Sequence, residues 1–276
     1  MPEIHRHDLT VGALRSAIRH HGSILVRGLV DRSDVDRLVQ DIDTAFDAFD
    51  AEANGEAKPD LAGWYERFDP DRVSDRVRRR SQGNLTAVES PPTLFDLIEI
   101  LDKAGIRQLA DEYFGEPPML LARKATLRRI PHNGSGGWHQ DGAFMGAGIR
   151  SLNIWLSLSH CGDDAPGLDV VGRRFDELVQ TGDRASPKVG SGYADWGVSP
   201  ENAEKAGGDA IVRPIFEAGD ALIFDHLLLH RTGTDPGMTK GRYATETWLF
   251  APSTYGAMTT PTATGYSPRD QLPILF

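Results

Sequence analysis

The sequence predicts an α+β protein with a mostly β core, because helical patterns come first and short strand patterns follow. Up to about residue 114, apolar residues recur at spacings of three and four, as they do in amphipathic helices. From residue 118 the chain consists of short runs with alternation or with β-branched and aromatic residues, separated by Gly, Pro, Asn and Asp. This order favours an antiparallel barrel or sandwich with a helical layer packed on one side.

The first helix and strand have clear boundaries. Residues 10–21 predict a short amphipathic helix that ends at Gly22. The apolar run SILVRGLV that follows is typical of a buried strand. Asp31 or Ser33 is expected to cap a second helix, whose apolar stripe runs from Val35 towards Phe46.

The next part of the first half is less regular. Residues 51–90 are polar and are expected to be loop with some helix. The run RVRRR favours a solvated basic face over an anion site; its arginines are Arg76, Arg78, Arg79 and Arg80. Two helices then follow, one from about 93 to 103 and one that reaches about 114 and is closed by Gly115.

Six runs of the second half predict strands. They are MLLARKATLRRI (119–130), SLNIWLSLS, GLDVV, AIVRPI, ALIFD and RYATETWLF. About 40 residues, 172–210, separate GLDVV from AIVRPI, and a connection of that length predicts a lid-like insertion. We therefore expect one domain over 1–276, with helical support mainly in 1–117, a β core over about 118–250 and a C-terminal tail over 251–276 that could cover a neighbouring subunit.

The composition and net charge of the chain indicate which kinds of molecule it is expected to bind. With 30 basic and 40 acidic residues, the net charge of −10 disfavours nucleic acid and anionic membranes, so a small-molecule substrate is expected. No run approaches the roughly 20 apolar residues that span a bilayer, and the N-terminus lacks a signal-peptide core, so a cytoplasmic location is expected. The expected oligomeric state is a monomer or a homodimer. The single cysteine, Cys161, excludes an internal disulfide and is expected to be structural.

The stretch GGWHQDGAFMG contains a candidate metal site. On a strand, His139 and Asp141 would project from the same face and reach one ion. His-x-Asp alone is a weak signal, and without a third ligand a surface turn is the favoured interpretation. The segment GDALIFDHLLLHRTG adds His226 and His230 as possible third ligands. His139, Asp141 and His230 would form a facial triad with open positions on iron(II).

An arginine follows the last candidate ligand by twelve residues. Arg242 begins the run RYATETWLF. Beside a metal site, its planar guanidinium would hold a carboxylate with paired, charge-assisted hydrogen bonds. The alternative is a surface charge, which the neighbouring triad disfavours.

These motifs together resemble the phytanoyl-CoA dioxygenase-like branch of the iron(II)- and 2-oxoglutarate-dependent oxygenases. The matching runs are GSILVRGLVDRSDVDRL, WHQDG, LNIWLSLSHCGDDAPGLDVV and GDALIFDHLLLHRTGTDPGMTKGRYATETWLF, in order from about residue 20 to 250. The resemblance implies a double-stranded β-helix, a jelly-roll or cupin-like core, with the N-terminal helices packed on one sheet. One departure is DVVGRRFDEL, where the family more often has a Pro-Gly-Ser-His turn.

The resemblance also implies roles for individual residues. His139, Asp141 and His230 would bind iron(II), which also takes 2-oxoglutarate and dioxygen. His230 is preferred over His226 because the threonine and arginine that follow it have the family spacing. Arg242 would hold the distal carboxylate of 2-oxoglutarate with help from the Thr232 hydroxyl. Further candidates near the cosubstrate are Trp155, which is equally well explained as a core aromatic, and Thr126.

Several neighbouring side chains are candidates for the substrate pocket. They are Gln140, Trp138, Asn153 and Lys124. For Gln140, Trp138 and Asn153 a structural role is the favoured alternative. Lys124 and Thr126 are expected on one face of a strand over 119–130 with Arg128.

The resemblance implies a hydroxylase that oxidises a C–H bond of a small or medium organic substrate and releases succinate and carbon dioxide. Asp141 argues against halogenation, because related halogenases lack a carboxylate at this position. Desaturation, epoxidation and ring closure would use the same ligands. Alternatives from other classes are a catalytically silent jelly-roll binding protein and a zinc metallohydrolase, which lacks a clear general base here.

Overall fold

The computed structural model describes residues 1–56, 58–68, 79–145, 148–181, 197–255 and 273–275. Its helices are α1 (Val11–His21), α2 (Arg32–Ala53), α3 (Pro91–Lys103), α4 (Ile106–Phe114), α5 (Gly142–Met145), α6 (Pro200–Gly207) and α7 (Pro252–Tyr255). Its strands are β1 (Glu3–His5), β2 (Ser23–Arg27), β3 (Asn84–Thr86), β4 (Met119–Leu121), β5 (Thr126–Ile130), β6 (Ser151–Ser157), β7 (Gly167–Val171), β8 (Ile211–Val212), β9 (Ala221–Phe224), β10 (His230–Gly233), β11 (Arg242–Phe250) and β12 (Pro273–Leu275).

The helical first half follows the sequence pattern closely. The Thr10 hydroxyl accepts from the Ala13 backbone N–H at the start of α1, and Gly22 ends the helix with a positive φ of 79°. Asp31 is the residue before α2, but its carboxylate bonds Arg6 and does not cap the helix. Gly115 ends α4 as predicted, again with positive φ.

Most strands belong to one large sheet. The order of neighbouring strands is β1, β2, β9, β6, β11, β4, β12, and β5 also pairs with β11 and with β3. Apart from the parallel pair β1 and β2, these strands pair antiparallel. A second sheet has the order β10, β7, β8. Helices first and an antiparallel β core second are therefore confirmed.

The large sheet has one face towards the helices and one towards the second sheet. On β11, Leu249 packs in the apolar cluster that contains the helices α1 to α4. Trp248 and Phe250 belong instead to the cluster between the sheets, with Trp155 and Phe224. Because side chains alternate along a strand, the even-numbered residues of β11, including Arg242, face the interior between the two sheets. We call this space the barrel interior.

The prediction of one continuous strand over 119–130 is wrong. The Lys124 and Ala125 backbone N–H groups both donate to the Leu121 carbonyl, which makes a tight turn between β4 and β5. Both strands still pair with β11, so the turn interrupts the ladder without moving the chain to another sheet. Lys124 therefore lies in the turn and does not alternate with Thr126 on one strand.

Two other regions acquire structure that the sequence did not predict. Within 172–210, the helix α6 begins after Ser199, whose hydroxyl caps it, while residues 182–196 lie outside the described part of the chain. In the C-terminal tail, residues 273–275 pair with β4 of the same chain. Residues 256–272 also lie outside the description, so the proposed cover for a neighbouring subunit concerns residues that are mostly not described.

The basic run is only partly within the described residues. Arg76 and Arg78 lie outside them. Arg80 is not fully solvated, because it pairs with Asp50 and its guanidinium stacks 4.7 Å from the Phe46 ring centre. Among the described helices, none is both long and apolar enough to cross a bilayer.

Candidate active site

Three predicted metal ligands meet in the barrel interior. One nitrogen or oxygen from each of His139, Asp141 and His230 lies within 4.8 Å of the others. The Nε2 atom of each histidine lies 3.7 Å from an oxygen of Asp141, His139 from Oδ1 and His230 from Oδ2. These gaps are too long for hydrogen bonds, whereas two metal–ligand bonds of about 2 Å each can span them. The geometry suits one shared ion.

Backbone carbonyls orient the two imidazoles. Nδ1 of His139 lies 3.0 Å from the Gly137 carbonyl oxygen, and Nδ1 of His230 lies 3.0 Å from that of Leu228. Since a carbonyl can only accept, each Nδ1 carries the proton and each Nε2 is the basic nitrogen that faces Asp141. Burial lowers the pKa of both histidines, that of His139 to about 4 with a further contribution from His230. Both are therefore neutral at pH 7, as metal ligands must be.

Asp141 completes the triad from the turn that starts α5. Its side chain is buried, and among the described residues its Oδ2 atom has no hydrogen-bond partner. Burial is the main cause that raises the pKa of Asp141 to about 7. A buried carboxylate oxygen without a donor is costly, and a divalent cation between the two histidines would compensate it. The donor set of two neutral imidazoles and one carboxylate thus fits a first-row metal such as iron(II).

Gly142, the last residue of the WHQDG motif, lies where the turn that carries Asp141 contacts the turn that precedes His230. The Gly142 N–H donates to the His226 carbonyl at 2.8 Å. A Cβ atom at position 142 would lie 2.9 Å from His226 Cδ2 and 3.2 Å from the His226 carbonyl oxygen. A side chain at position 142 would therefore displace the His226 ring, and glycine lets the turn that carries Asp141 pack against the turn that precedes His230 without that shift.

His226 itself has a different environment from His230. Its Nδ1 atom lies 3.4 Å from the Ser151 hydroxyl, and its ring lies against Gly142. It is not a member of the cluster of possible metal ligands, which contains His230. The structure thus brings together the triad that the motif spacing favoured.

Arg242 is a fully buried arginine with unused donors. Its Nη1 atom donates to the carbonyls of Pro166 and Gly167 at 3.0 and 2.8 Å, which fixes the guanidinium between the two sheets. Among the described residues, its Nε and Nη2 atoms have no hydrogen-bond partner. Burial lowers the pKa of Arg242 to about 10, so the group still carries its charge at pH 7. The edge formed by Nε and Nη2 is the one that binds a carboxylate in bidentate fashion.

Trp155 and Thr232 lie beside this arginine. The guanidinium carbon of Arg242 lies 5.1 Å from the Trp155 ring centre, so the indole covers the cation. Thr232 is two residues after His230 on β10, on the same face of that strand. Its register partner is Leu168, the residue after the Gly167 carbonyl that Arg242 bonds. All three predicted residues therefore converge at the start of β7.

Glu246 is a buried carboxylate near the triad that the sequence did not single out. Its Oε1 atom accepts from Asn153 Nδ2 at 2.9 Å and from Trp248 Nε1 at 3.3 Å. Its Oε2 atom pairs with Arg128 and accepts from the Thr126 hydroxyl at 3.4 Å. The nearby positive charge of Arg128 outweighs burial and lowers the pKa of Glu246 to about 2, so it is ionised. One signal was available: Glu246 is four residues after Arg242 on one strand and must face the same side.

The remaining substrate candidates occupy different positions. Gln140 is buried, donates to the Leu227 carbonyl at 2.7 Å and accepts from the Val179 N–H at 2.6 Å, so it joins the 172–181 segment to the site. Trp138 faces away from its neighbour His139 and packs against Val198. Burial lowers the pKa of Lys124 to about 8, and the negative charges of Asp141 and Glu246 oppose part of this shift.

A second buried carboxylate braces the strand that carries His230. Asp169 on β7 accepts from Arg231 Nε at 2.7 Å and from Arg213 Nε at 2.6 Å. Asp169 and Arg231 are register partners, so this ion pair fixes β10 next to His230. This ion pair was not predicted, because Asp169 is the one polar residue of the otherwise apolar run GLDVV.

The solved structures that share this fold include those of enzymes that use iron and 2-oxoglutarate. EctD from S. alaskensis, solved with 2-oxoglutarate and 5-hydroxyectoine, shares 17% identity over 89% of this chain and 78% of its own, with a TM-score of 0.59. The carbocyclase SnoK from nogalamycin biosynthesis shares 14% over 89% and 85%, with a TM-score of 0.55. The epimerase SnoN, solved with Fe3+, alpha ketoglutarate and nogalamycin RO, shares 16% over 87% and 83%, with a TM-score of 0.51.

At these identities the likeness shows a shared fold, and it confirms the expected double-stranded β-helix. No curated protein sequence matches the chain. The family model described as Phytanoyl-CoA dioxygenase (PhyH) matches residues 18–236, which include the triad and most of both sheets. The chain therefore belongs to the phytanoyl-CoA dioxygenase family.

Proposed function

We propose that the chain is an iron(II)- and 2-oxoglutarate-dependent oxygenase that hydroxylates an unactivated C–H bond of a small or medium organic substrate. The observation that carries this proposal is the pairing of two incomplete sites in one barrel interior. Within the described part of the chain, the triad has a buried carboxylate oxygen without a donor, and Arg242 has two buried donors without an acceptor. A cation and a carboxylate-bearing cosubstrate would satisfy both at once.

His139, Asp141 and His230 would hold iron(II) through the two Nε2 atoms and the carboxylate. When bound, iron(II) and 2-oxoglutarate supply the oxidising chemistry, and the cosubstrate leaves as succinate and carbon dioxide. The backbone carbonyls of Gly137 and Leu228 keep the Nδ1 protons in place, so the two imidazoles need no reorientation when the metal arrives. The protein thus provides a preformed set of ligands.

Arg242 would bind the distal carboxylate of 2-oxoglutarate through Nε and Nη2. The carbonyls of Pro166 and Gly167 hold the guanidinium in place, and Trp155 covers it. Thr232, on the same face of β10 as His230, would add its hydroxyl to that carboxylate. For the other end of the cosubstrate Thr126 remains the predicted contact, although its hydroxyl also bonds Glu246 and accepts from Arg128 Nε at 3.3 Å.

The proposed outcome is hydroxylation because Asp141 supplies a carboxylate ligand and leaves no place for a halide. Enzymes of the same fold include an epimerase and a carbocyclase, so the product of the reaction is the feature to determine. Desaturation and oxidative ring closure remove two hydrogen atoms, so the mass of the product separates them from hydroxylation, which adds one oxygen. Epoxidation of an alkene also adds one oxygen, so NMR of the product must separate it from hydroxylation. The substrate class is small and organic, consistent with a site enclosed between two sheets.

Coupled formation of succinate and carbon dioxide tests the proposal. Purified protein with iron(II), 2-oxoglutarate and dioxygen should release both in equal amounts, and the signal should disappear when iron or dioxygen is withheld. Asp141→Ala should abolish it while the protein stays folded. A catalytically silent binding protein would bind 2-oxoglutarate without releasing succinate, and a zinc hydrolase would do neither. Either result would refute the oxygenase assignment.

A further inference from the structure

Asn153 carries a buried acceptor atom that the proposed iron and cosubstrate roles do not use. Its side chain is fully buried on β6, and among the described residues its Oδ1 atom has no hydrogen-bond partner. The other buried atoms of the site without partners belong to Asp141 and Arg242, which have proposed ligands. Native proteins rarely leave a buried acceptor unpaired, so Oδ1 calls for a donor from a bound molecule.

The orientation of the Asn153 amide is fixed by its neighbour. Asn153 Nδ2 donates to Glu246 Oε1 at 2.9 Å. Glu246 is ionised and can only accept, so the amide cannot be turned to place its oxygen there. The nitrogen therefore faces Glu246, and the oxygen is the atom left for a ligand.

Asn153 lies beside the proposed metal site. Its register partners are Phe224 on β9 and Trp248 on β11, and partners directly opposite each other share one face of the sheet. The ring centre of Phe224 lies 4.9 Å from that of His230. Asn153 is also two residues from Trp155, on the same face of β6. The Oδ1 atom thus belongs to the barrel interior shared by the triad and Arg242.

The charges around Asn153 Oδ1 indicate which kind of hydrogen-bond donor a ligand would supply to it. 2-Oxoglutarate is a dianion at neutral pH with no N–H or O–H group, so it cannot donate to Oδ1. Glu246, the carboxylate beside Asn153, already pairs with Arg128, so the site offers no unbalanced negative charge to an ammonium group. An uncharged donor such as a hydroxyl group meets the acceptor without adding charge.

We propose that Asn153 determines specificity by accepting a hydrogen bond from a hydroxyl group of the substrate, so that the enzyme acts on alcohols and not on bare hydrocarbons or amines. This inference rests on the proposed function. Glu246 acts as a positioning residue, because its contacts to Asn153, Trp248 and Arg128 hold the amide in one orientation.

The test uses the iron(II)-loaded protein with 2-oxoglutarate and dioxygen, and succinate formation as the readout. Cyclohexanol and 1-hexanol serve as probes, each beside its methyl ether and the corresponding primary amine. We expect the alcohols to accelerate succinate formation and the ethers and amines to have no effect. Asn153→Leu should weaken the response to the alcohols by roughly tenfold in apparent affinity, as the loss of one hydrogen bond would. Asn153→Ala is expected to behave likewise.

Thr247→Val provides a matched control. The Thr247 hydroxyl is also buried, with no hydrogen-bond partner in the regions that the structure describes. Thr247 precedes Trp248, the register partner of Asn153, so its side chain lies on the opposite face of the sheet, which packs against the helices. This variant should respond to the alcohols as the wild type does.

Three results would overturn the inference: no alcohol accelerates succinate formation, alcohols and ethers act equally, or Asn153→Leu responds unchanged. A fourth, loss of 2-oxoglutarate or iron affinity in Asn153→Leu, would assign Asn153 to the cosubstrate or metal and refute its substrate role. Failure of the wild type to bind iron(II) and 2-oxoglutarate would refute the proposed function itself.

Discussion

His139 and His230 face each other across an antiparallel bridge in which the backbone N–H of each donates to the carbonyl of the other at 3.0 Å. Each histidine also directs Nδ1 to the carbonyl two residues before it, Gly137 in one case and Leu228 in the other. The ring centres lie 4.3 Å apart. Two segments that are 91 positions apart in the sequence are thus held together by main-chain hydrogen bonds next to the triad.

Removing one ligand should remove the metal. We predict that His230→Gln loses stoichiometric iron(II) binding, because the remaining pair offers only two of three protein ligands. The matched control is His226→Gln, a buried histidine four residues earlier that lies outside the triad. Iron content after anaerobic loading and desalting measures the effect. Equal iron content in both variants would contradict the assignment of His230.

The buried guanidinium should dominate binding of 2-oxoglutarate. Replacing Arg242 with alanine is expected to weaken binding by about 2 to 5 kcal/mol, the usual cost of removing one partner of a buried charge pair. Arg129→Ala is the control, because Arg129 lies on β5 but pairs with Asp43 on the helix-facing side. Anaerobic calorimetry gives both dissociation constants. A constant unchanged in Arg242→Ala would exclude the proposed role.

Much of this site could be predicted because its chemistry depends on rare residue types at fixed spacings. His139, Asp141 and His230 are such residues, and Gly142 beside them marks a close approach of two loops. Arg242 was recognisable only through its distance from His230. The expected α+β order followed from the change of hydrophobic period near residue 118: the four longest helices precede that residue and most strands follow it, although β1, β2 and β3 lie in the helical half.

Gln140 should control the order of the segment that follows β7. Its side-chain amide bonds the Val179 N–H and the carbonyls of Leu227 and Glu177. Gln140→Met keeps the volume but removes these bonds, so we expect faster hydrogen exchange around residues 175–181. Ser199→Ala, which removes the cap of α6 in the same insertion, is the control and should affect residues 199–203 instead. Unchanged exchange at 175–181 would show that Gln140 does not hold this segment.

A pair of carboxyl groups in the helical layer gives a pH-dependent stability. Burial and the neighbouring Asp96 raise the pKa of Asp41 to about 6. A carboxyl whose folded pKa lies above its unfolded value favours folding only when protonated, so this contribution is lost as pH rises from about 4 to 6. Asp41→Asn should therefore increase the free energy of unfolding at pH 7 by about 1 to 3 kcal/mol and have little effect near pH 4.

Urea denaturation at pH 4.5 and pH 7 measures this difference. Asp43→Asn on the same helix is the control, because Asp43 pairs with Arg129 at 2.8 Å and its loss should not stabilise the protein. A variant Asp41→Asn that is no more stable than the wild type at pH 7 would mean that Asp41 is solvated when ionised.

What the sequence did not reveal depends on tertiary placement. Glu246 shares a strand face with Arg242, but the sequence does not show that β11 is covered on both faces or that the carboxylate pairs with Arg128 inside the barrel. Lys124 appeared to belong to one long strand, and the turn at Leu121 that separates β4 from β5 has no glycine or proline to mark it. The fully apolar neighbours of Asp169 likewise concealed its ion pair with Arg231.

The most direct measurement is an anaerobic calorimetric titration of 2-oxoglutarate into the protein with and without iron(II). Our account predicts one binding site per chain, occupied through Arg242 and strengthened when the triad holds iron(II), because the cosubstrate would then contact both. Absence of binding, or an affinity that iron(II) leaves unchanged, would contradict the claim that the triad and Arg242 form a single site.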